Sequence, residues 1–454
     1  MFELYRIGNE ICFALKDEAG KAGFEEEGRE ASLEEARAAS RLTFLFFREP
    51  GTCRASFLVN DRRLLFQKEE SAAWLSSVEL EKGAAECRKE GESAELCGVL
   101  SDFMARGKLR AVNALQPDWQ DILKEGAAAG SGSGSSTEAA GAAGPAFLPA
   151  GKKRVNILAI GDVGSNLLTG LHLLGGDVIS EIGICDLDEK VTARWAFEQN
   201  QIAYPWDYDR LPEVKTVKAE ELFGADVVVF VASKGIPPVG SGVKDVRMYQ
   251  FENNRKIVGM YAKQARNVGF RGMFCQVSDP VDPLAKTALL ESNRDENGSL
   301  DWKGLRPEQI QGFGLGVMNA RAAYYAKRDP RFQRFLTEGR SFGPHGQELV
   351  IADSIEHYDD EISRALTQKV VTANLEMRAL GFKPFVAPAF SSGALSILLM
   401  LRGEWHCGSV YLGGAFMGVK NRYTPEGLET EILPLPEKLF ERIRLAEETL
   451  KGIC

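Results

Sequence analysis

Ala159-Ile160-Gly161-Asp162-Val163-Gly164 follows directly on the apolar run RVNILAIG and opens a helical pattern, the setting in which a glycine-rich string can cradle phosphate. Gly161 lets backbone approach an anionic group, and Gly164 lets a helix pack close to a strand. The helix N-terminus, with Asp162 and Val163 in its first turn, offers unpaired N–H groups to phosphate oxygens. The first glycine of a full GxGxxG string is here Ala159, so the string is weak by itself. Asp186 strengthens it. It ends the next apolar run, in EIGICDLDEK, roughly twenty residues further on, where a carboxylate accepts hydrogen bonds from ribose hydroxyls and repels a 2′-phosphate. The two features together predict NAD rather than NADP, with Asp188 able to share or replace the role of Asp186. Ala232 and Ser233, ending ADVVVFVAS, are placed beside the same ligand.

The elements that must position these residues alternate: RVNILAIG, SNLLTGLHLLGG, EIGICDLD, ADVVVFVAS, a helix near NNRKIVGMYAKQAR, and GMFCQVS. The apolar runs lack two-residue alternation, as parallel strands covered by helices on both faces do. The fold class is therefore α/β, a doubly wound Rossmann sheet over residues 151–283, followed by an α+β catalytic domain over 284–454. Leu439, Phe440, Ile443, Ala446 and Leu450 are spaced for one face of a terminal helix.

Upstream, residues 126–150 are almost entirely Gly, Ala and Ser and are expected to form a flexible linker. Residues 1–125 then form a separate small α+β module. Ser32-Leu33-Glu34-Glu35 is a capping-box pattern, while TFLFF and SFLVNDRRLLFQ, punctuated by Asn60-Asp61, predict strands and a hairpin. The module has no histidine and its charges read as solvated faces, which points to a structural, regulatory or partner-binding role.

The formal charge of -9 and pI near 5.4 argue against a nucleic-acid partner. The eight cysteines show no CxxC spacing and no grouping with the four histidines, so neither metal nor disulfides are expected. No stretch has the character of a signal peptide or a membrane span, and a cytoplasmic protein is expected.

Four further segments agree in order. They are Arg247-Met248-Tyr249-Gln250-Phe251-Glu252-Asn253-Asn254, Val277-Ser278-Asp279-Pro280-Val281-Asp282, Gly316-Val317-Met318-Asn319-Ala320-Arg321 and Gly343-Pro344-His345-Gly346. With them, residues 154–452 resemble the lactate/malate dehydrogenase family. The resemblance implies an NAD-dependent enzyme acting on small 2-hydroxy and 2-oxo acids, and a homo-oligomer. His345 would be the acid/base, Arg321 the fork for the substrate carboxylate, and Arg247 the residue of a mobile loop that polarises the carbonyl. Val277 would lie at the cofactor. Phe385-Val386-Ala387-Pro388-Ala389-Phe390-Ser391 resembles a segment that lines the pocket.

Two positions depart from the family pattern. Met318 stands where the family has the aspartate that orients its histidine, and Asp279 stands where it has asparagine. The changes are read as linked, Asp279 supplying the charge that Met318 does not; Glu348 and Asp353 are other candidate partners. Ile236, in the loop before Arg247, falls near the position that selects the substrate side chain and favours a monocarboxylic or apolar oxo acid, although Lys234 or Lys244 could meet a second carboxylate. A competing expectation is a catalytically silent NAD-binding sensor or assembly protein on the same fold, with the N-terminal module as effector and an unknown partner. A sugar-processing enzyme using bound NAD would need metal ligands, for which no Cys/His cluster is evident.

Overall fold

Closely spaced phenylalanines build the first sheet. In the computed structural model, which describes residues 2–19, 29–87, 94–125, 147–234 and 246–453, six strands stand in the order β3-β1-β2-β4-β6-β5. They are β1 (Phe2–Ile7), β2 (Glu10–Leu15), β3 (Arg29–Glu30), β4 (Leu42–Phe46), β5 (Ser56–Leu58) and β6 (Leu109–Asn113). Strands β2, β4 and β6 are parallel, while β1 and β5 run antiparallel to their neighbours. Phe2, Phe13 and Phe44 meet with centroids 5.3–5.8 Å apart, in geometries that add to their burial. The capping box forms as read: Ser32 Oγ accepts from Glu35 N, and the Glu35 carboxylate accepts from Ser32 N at 2.7 Å, opening helix Leu33–Ala38.

Two expectations for this module need correcting. The hairpin at Asn60-Asp61 does not form, because Asp61 caps the backbone N–H of Arg63 and starts a 3₁₀ turn over Arg62–Phe66; β5 pairs instead with β6. Nor are all its charges solvated. Arg41, Arg54, Glu70 and Arg110 are buried, Arg41 on Glu10 at 2.8 and 2.9 Å, Arg54 on Glu70, and Arg110 on backbone carbonyls including Leu123 O at 2.6 Å. Buried charges persist when paired and hydrogen-bonded in this way.

The second sheet has nine strands: β7 (Lys153–Leu158), β8 (Ile179–Cys185), β9 (Glu213–Thr216), β10 (Val227–Phe230), β11 (Met273–Gln276), β12 (Ile310–Gly312), β15 (His406–Leu412), β16 (Ala415–Thr424) and β17 (Gly427–Thr430). A separate pair comprises β13 (Arg340–Phe342) and β14 (Val350–Ala352). Six strands are parallel, in the order β9-β8-β7-β10-β11-β12, the doubly wound arrangement with its switch point between β7 and β10. Strand periodicity supplies both covered faces. Val227 and Val229 pack in one layer with Leu167 and Leu171, while Val228 and Phe230 pack in the other with Val258 and Leu284. The sixth parallel strand, β12, lies beyond residue 283, so the sheet crosses the boundary drawn from sequence and continues into the antiparallel β15, β16 and β17.

The helices used below are α1 (Asp162–Leu174), α2 (Glu189–Gln199), α3 (Val246–Asn267), α4 (Val281–Ser292), α5 (Leu315–Ala326), α6 (Asp360–Ala379) and α7 (Glu437–Lys451). In α7, Leu439, Ile443, Ala446 and Leu450 are buried and Phe440 packs at the core margin. None of the described helices is long and apolar enough to cross a membrane.

The N-terminal sheet docks on the antiparallel end of the large one. Glu308, fully buried, accepts from Ser56 Oγ at 2.8 Å and Ala55 N at 3.0 Å. Arg306 reaches Asp118 at 2.8 Å and Glu125 at 2.7 Å, and Glu447 of α7 accepts from Ala72 N at 3.0 Å. Leu433 bonds through its backbone to Leu75 O at 2.9 Å and Ser77 N at 2.8 Å. The ring of Trp302 lies on Gly51, where a Cβ would stand 2.0 Å from it. Of the expected linker, residues 126–146 lie outside the described residues.

Candidate active site

Parallel strands direct their C-terminal ends to one edge, and the glycine turn emerges there. Gly161 caps α1 without a side-chain bond, leaving the first-turn N–H groups of Asp162 and Val163 for a ligand. A Cβ on Gly161 would meet nothing within 4 Å, whereas one on Gly164 would stand 2.0 Å from Ala159 O. One glycine therefore opens space for a group and the other lets α1 pack against β7. Asp186, at the end of β8, accepts from Ile160 N at 2.7 Å and from Asp188 N at 3.3 Å. Asp188 caps α2, accepting from Lys190 N, and so is committed to the helix start. These residues fit a dinucleotide: an uncapped helix end for its pyrophosphate and a carboxylate for its ribose. Lys383 reaches over this turn to Asp162, at 3.3 Å.

Ala159 holds φ at +76°, in the left-handed region that glycine tolerates and a Cβ opposes. Ala159→Gly is therefore expected to stabilise the chain by about 1 kcal/mol, read as a higher urea midpoint. An unchanged midpoint would show that this turn carries no strain.

The next strand ends bring His345 and Asp279 together. β10 pairs with β7 as far as Phe230 opposite Leu158, and Ala232 and Ser233 follow at that same end of the sheet. Val277, after β11, donates its N–H to Phe230 O at 3.0 Å and leads into a cis Asp279–Pro280 bond. The loop after β13 is pinned by Gly343 N to Gly418 O at 2.9 Å and carries His345 back to that turn. There His345 Nδ1 stands 3.0 Å from Asp279 Oδ1, with the histidine side chain 18% and the aspartate 51% exposed. Two residues 66 positions apart thus meet at the sheet edge.

Arg321 lies on α5, one turn beyond Met318. Met318 is buried, and its Sδ is 3.8 Å from the Arg321 guanidinium. Among the described residues Arg321 forms no ion pair; burial pulls its pKa below the usual arginine value, while Tyr325 and Asp279 act in the opposite sense. A half-buried guanidinium in that situation suits an incoming carboxylate. Arg247 falls in the first turn of α3, and Ile236 lies outside the described residues. Asp353 accepts from Asp359 N at 3.2 Å instead of serving His345.

Other supports were not singled out from sequence. Asn254, fully buried on α3, donates to Asp279 O at 2.7 Å and Ser233 Oγ at 3.1 Å, and accepts from Lys234 N at 2.9 Å. It joins the ends of β10 and β11. A buried asparagine inside a helical pattern was the available signal. The segment expected to line the pocket enters a seven-residue π-helix, Pro388–Ala394, a form that recurs at functional sites. From it Ser392 Oγ donates to Gly314 O at 2.8 Å and accepts from Val317 N at 2.9 Å, fixing the start of the helix that carries Arg321. Glu338, Glu356 and His357 form a group of metal-ligand types at the surface, in which His357 Nδ1 is 3.0 Å from Glu338.

No protein-family model matches the chain. It is 27% identical to an L-lactate dehydrogenase of Mycoplasma mobile over 182 residues, and 26% identical to one of Staphylococcus saprophyticus over 200. These matches take in 36% and 44% of this chain, and span 54% and 56%, about half, of the relatives' length. Among solved structures, a minor L-lactate dehydrogenase from Enterococcus mundtii in ligand-bound form superposes with a TM-score of 0.53 at 20% identity. Malate dehydrogenase from Archaeoglobus fulgidus in complex with NADH gives 0.51 at 18%. Each superposition covers 66% of this chain and 97% of the other. The chain thus shares its fold with lactate and malate dehydrogenases over about two thirds of its length, and it is similar in sequence to two L-lactate dehydrogenases.

Proposed function

We propose that the chain is an NAD-dependent oxidoreductase interconverting a 2-hydroxy acid and a 2-oxo acid, with His345 as acid and base. The observation that carries this reading is the 3.0 Å contact of His345 Nδ1 with Asp279, close to an arginine without an ion-pair partner among the described residues. A carboxylate at Nδ1 fixes the tautomer and leaves proton transfer to Nε2. Arg321 binds the substrate carboxylate as a planar fork, and Arg247 stabilises charge developing on the carbonyl oxygen. Gly161, the first turn of α1, and Asp186 hold the dinucleotide, whose nicotinamide supplies the hydride. Ile236 favours a monocarboxylic or apolar acid.

The silent NAD-binding alternative draws on one observation, the apolar Met318 at the histidine's expected partner position. NADH oxidation against a panel of 2-oxo acids, with NAD binding followed by calorimetry, separates the readings. Turnover of at least one acid is the expected result. Tight binding without turnover on any acid selects the silent protein, and absence of binding overturns both.

A further inference from the structure

The Asp279 turn contains a second carboxylate that the reaction outlined above does not use. Asp282, three residues on, opens α4 and is buried to 3% exposure. One of its oxygens accepts from the backbone N–H of His345 at 3.3 Å, and the other accepts from Ser409 Oγ on β15. Burial pushes its carboxyl up to about 6, against the lowering effects of the Ser409 hydroxyl and of His345. On the opposite side, Gly314 closes on the same histidine: a Cβ there would stand 2.8 Å from His345 Cβ. The histidine is thus gripped at two points by one turn, through its ring by Asp279 and through its backbone by Asp282.

We propose that Asp282 is a positioning residue for the acid–base reaction, holding the His345 backbone against α4 so that the imidazole meets Asp279 through Nδ1. The inference rests on the reading of His345 as acid and base. Ser409 acts through Asp282, tying the histidine loop to β15. The physical argument is one of leverage. The loop from Gly343 to Gly346 is tied by its backbone to Gly418 before His345, and the hydrogen bond to Asp282 is an anchor at the histidine itself. Without it the ring can swing from Asp279, and a displacement near 1 Å costs about 100-fold in rate.

The experiment uses full-length protein labelled with ¹⁵N-histidine, its four histidines being few enough to assign with a His345→Gln variant. Imidazole ¹⁵N shifts report which ring nitrogen carries the proton, with no ligand present. In the unmutated protein His345 is expected as the Nδ1–H form. Asp282→Ala is expected to redistribute the proton between the nitrogens and to lower kcat about 100-fold, with NADH affinity unchanged. Asp282→Asn keeps an oxygen acceptor for the His345 N–H and should restore most of both signals. An Asp282→Ala protein with the unmutated imidazole signal overturns the proposal, as does an Asp282→Asn protein as impaired as the alanine variant. Should Asp282→Ala fail to fold, Asp282→Leu keeps the buried bulk and removes the acceptor for the His345 N–H, and an unaltered imidazole signal there overturns it equally. The imidazole signal is read without substrate, so absence of turnover in the unmutated protein defeats the dehydrogenase reading and leaves the positioning test intact.

Discussion

Replacing Asp279 with asparagine is expected to lower kcat for 2-oxo-acid reduction by between about 10² and 10⁴-fold, the range set by loss of a positioned acid–base group and by the same change in a serine-protease triad. The carboxylate does two things for His345. As an acceptor-only group 3.0 Å from Nδ1, it enforces the tautomer with the proton on that nitrogen; as an anion, it stabilises the imidazolium. An asparagine amide keeps the shape and loses the charge, and it can donate to Nδ1, favouring the wrong tautomer. Asn254 holds the backbone of residue 279 at 2.7 Å, so the turn itself should survive and NADH binding should not change. Steady-state kinetics with stopped-flow NADH binding checks both points, and equal or higher turnover in the variant would sink the linked-change reading. A Met318→Asp change in the same chain returns a carboxylate one helical turn before Arg321. Partial recovery of turnover in the double variant is expected if the two positions are alternative sources of one charge.

The second large effect concerns stability. Glu308→Ala is expected to destabilise the protein by about 2–6 kcal/mol, because losing a buried acceptor leaves two surviving donors desolvated and unpaired at about 1–3 kcal/mol each. Those partners are Ser56 Oγ and the N–H of Ala55, at the junction of the two sheets, and neither reaches water when the sheets are docked. Glu308→Gln retains an acceptor for them and should cost much less. Burial raises the Glu308 carboxyl above the usual carboxylate range, while Arg306 and the Ser56 hydroxyl act in the opposite sense. Urea unfolding of both variants decides the matter; equal midpoints for glutamine and alanine would show that the acceptor contributes nothing. The same contacts predict that a chain beginning at Phe147 unfolds or aggregates, since it uncovers Arg306, Glu308 and Glu447 together.

The sequence by itself determined those features whose causes are local. Continuous apolar runs required strands covered on both faces, and the run–turn–helix order placed Gly161 and Gly164 where a strand passes into α1. The spacing of Leu439, Ile443, Ala446 and Leu450 required a buried helical face, and Ser32 with Glu35 required a capped helix start. Each follows from side-chain periodicity or from bonds spanning three or four residues.

Tertiary structure decided the features whose partners are distant. RRLLF had a strand's composition, yet Asp61 turned it into a 3₁₀ segment and β5 found its partner in β6. Charges of the N-terminal module that suit solvent in sequence became buried pairs, because desolvation depends on what covers a side chain, which spacing does not record. The same holds around His345. The carboxylate at Asp279 and the thioether at Met318 could be read along the chain, but a contact between residues 279 and 345 requires β11, β13 and the Gly343–Gly418 bridge to bring two turns to one edge. A hydrogen bond depends on distance and direction in space, and across 66 residues only packing sets those.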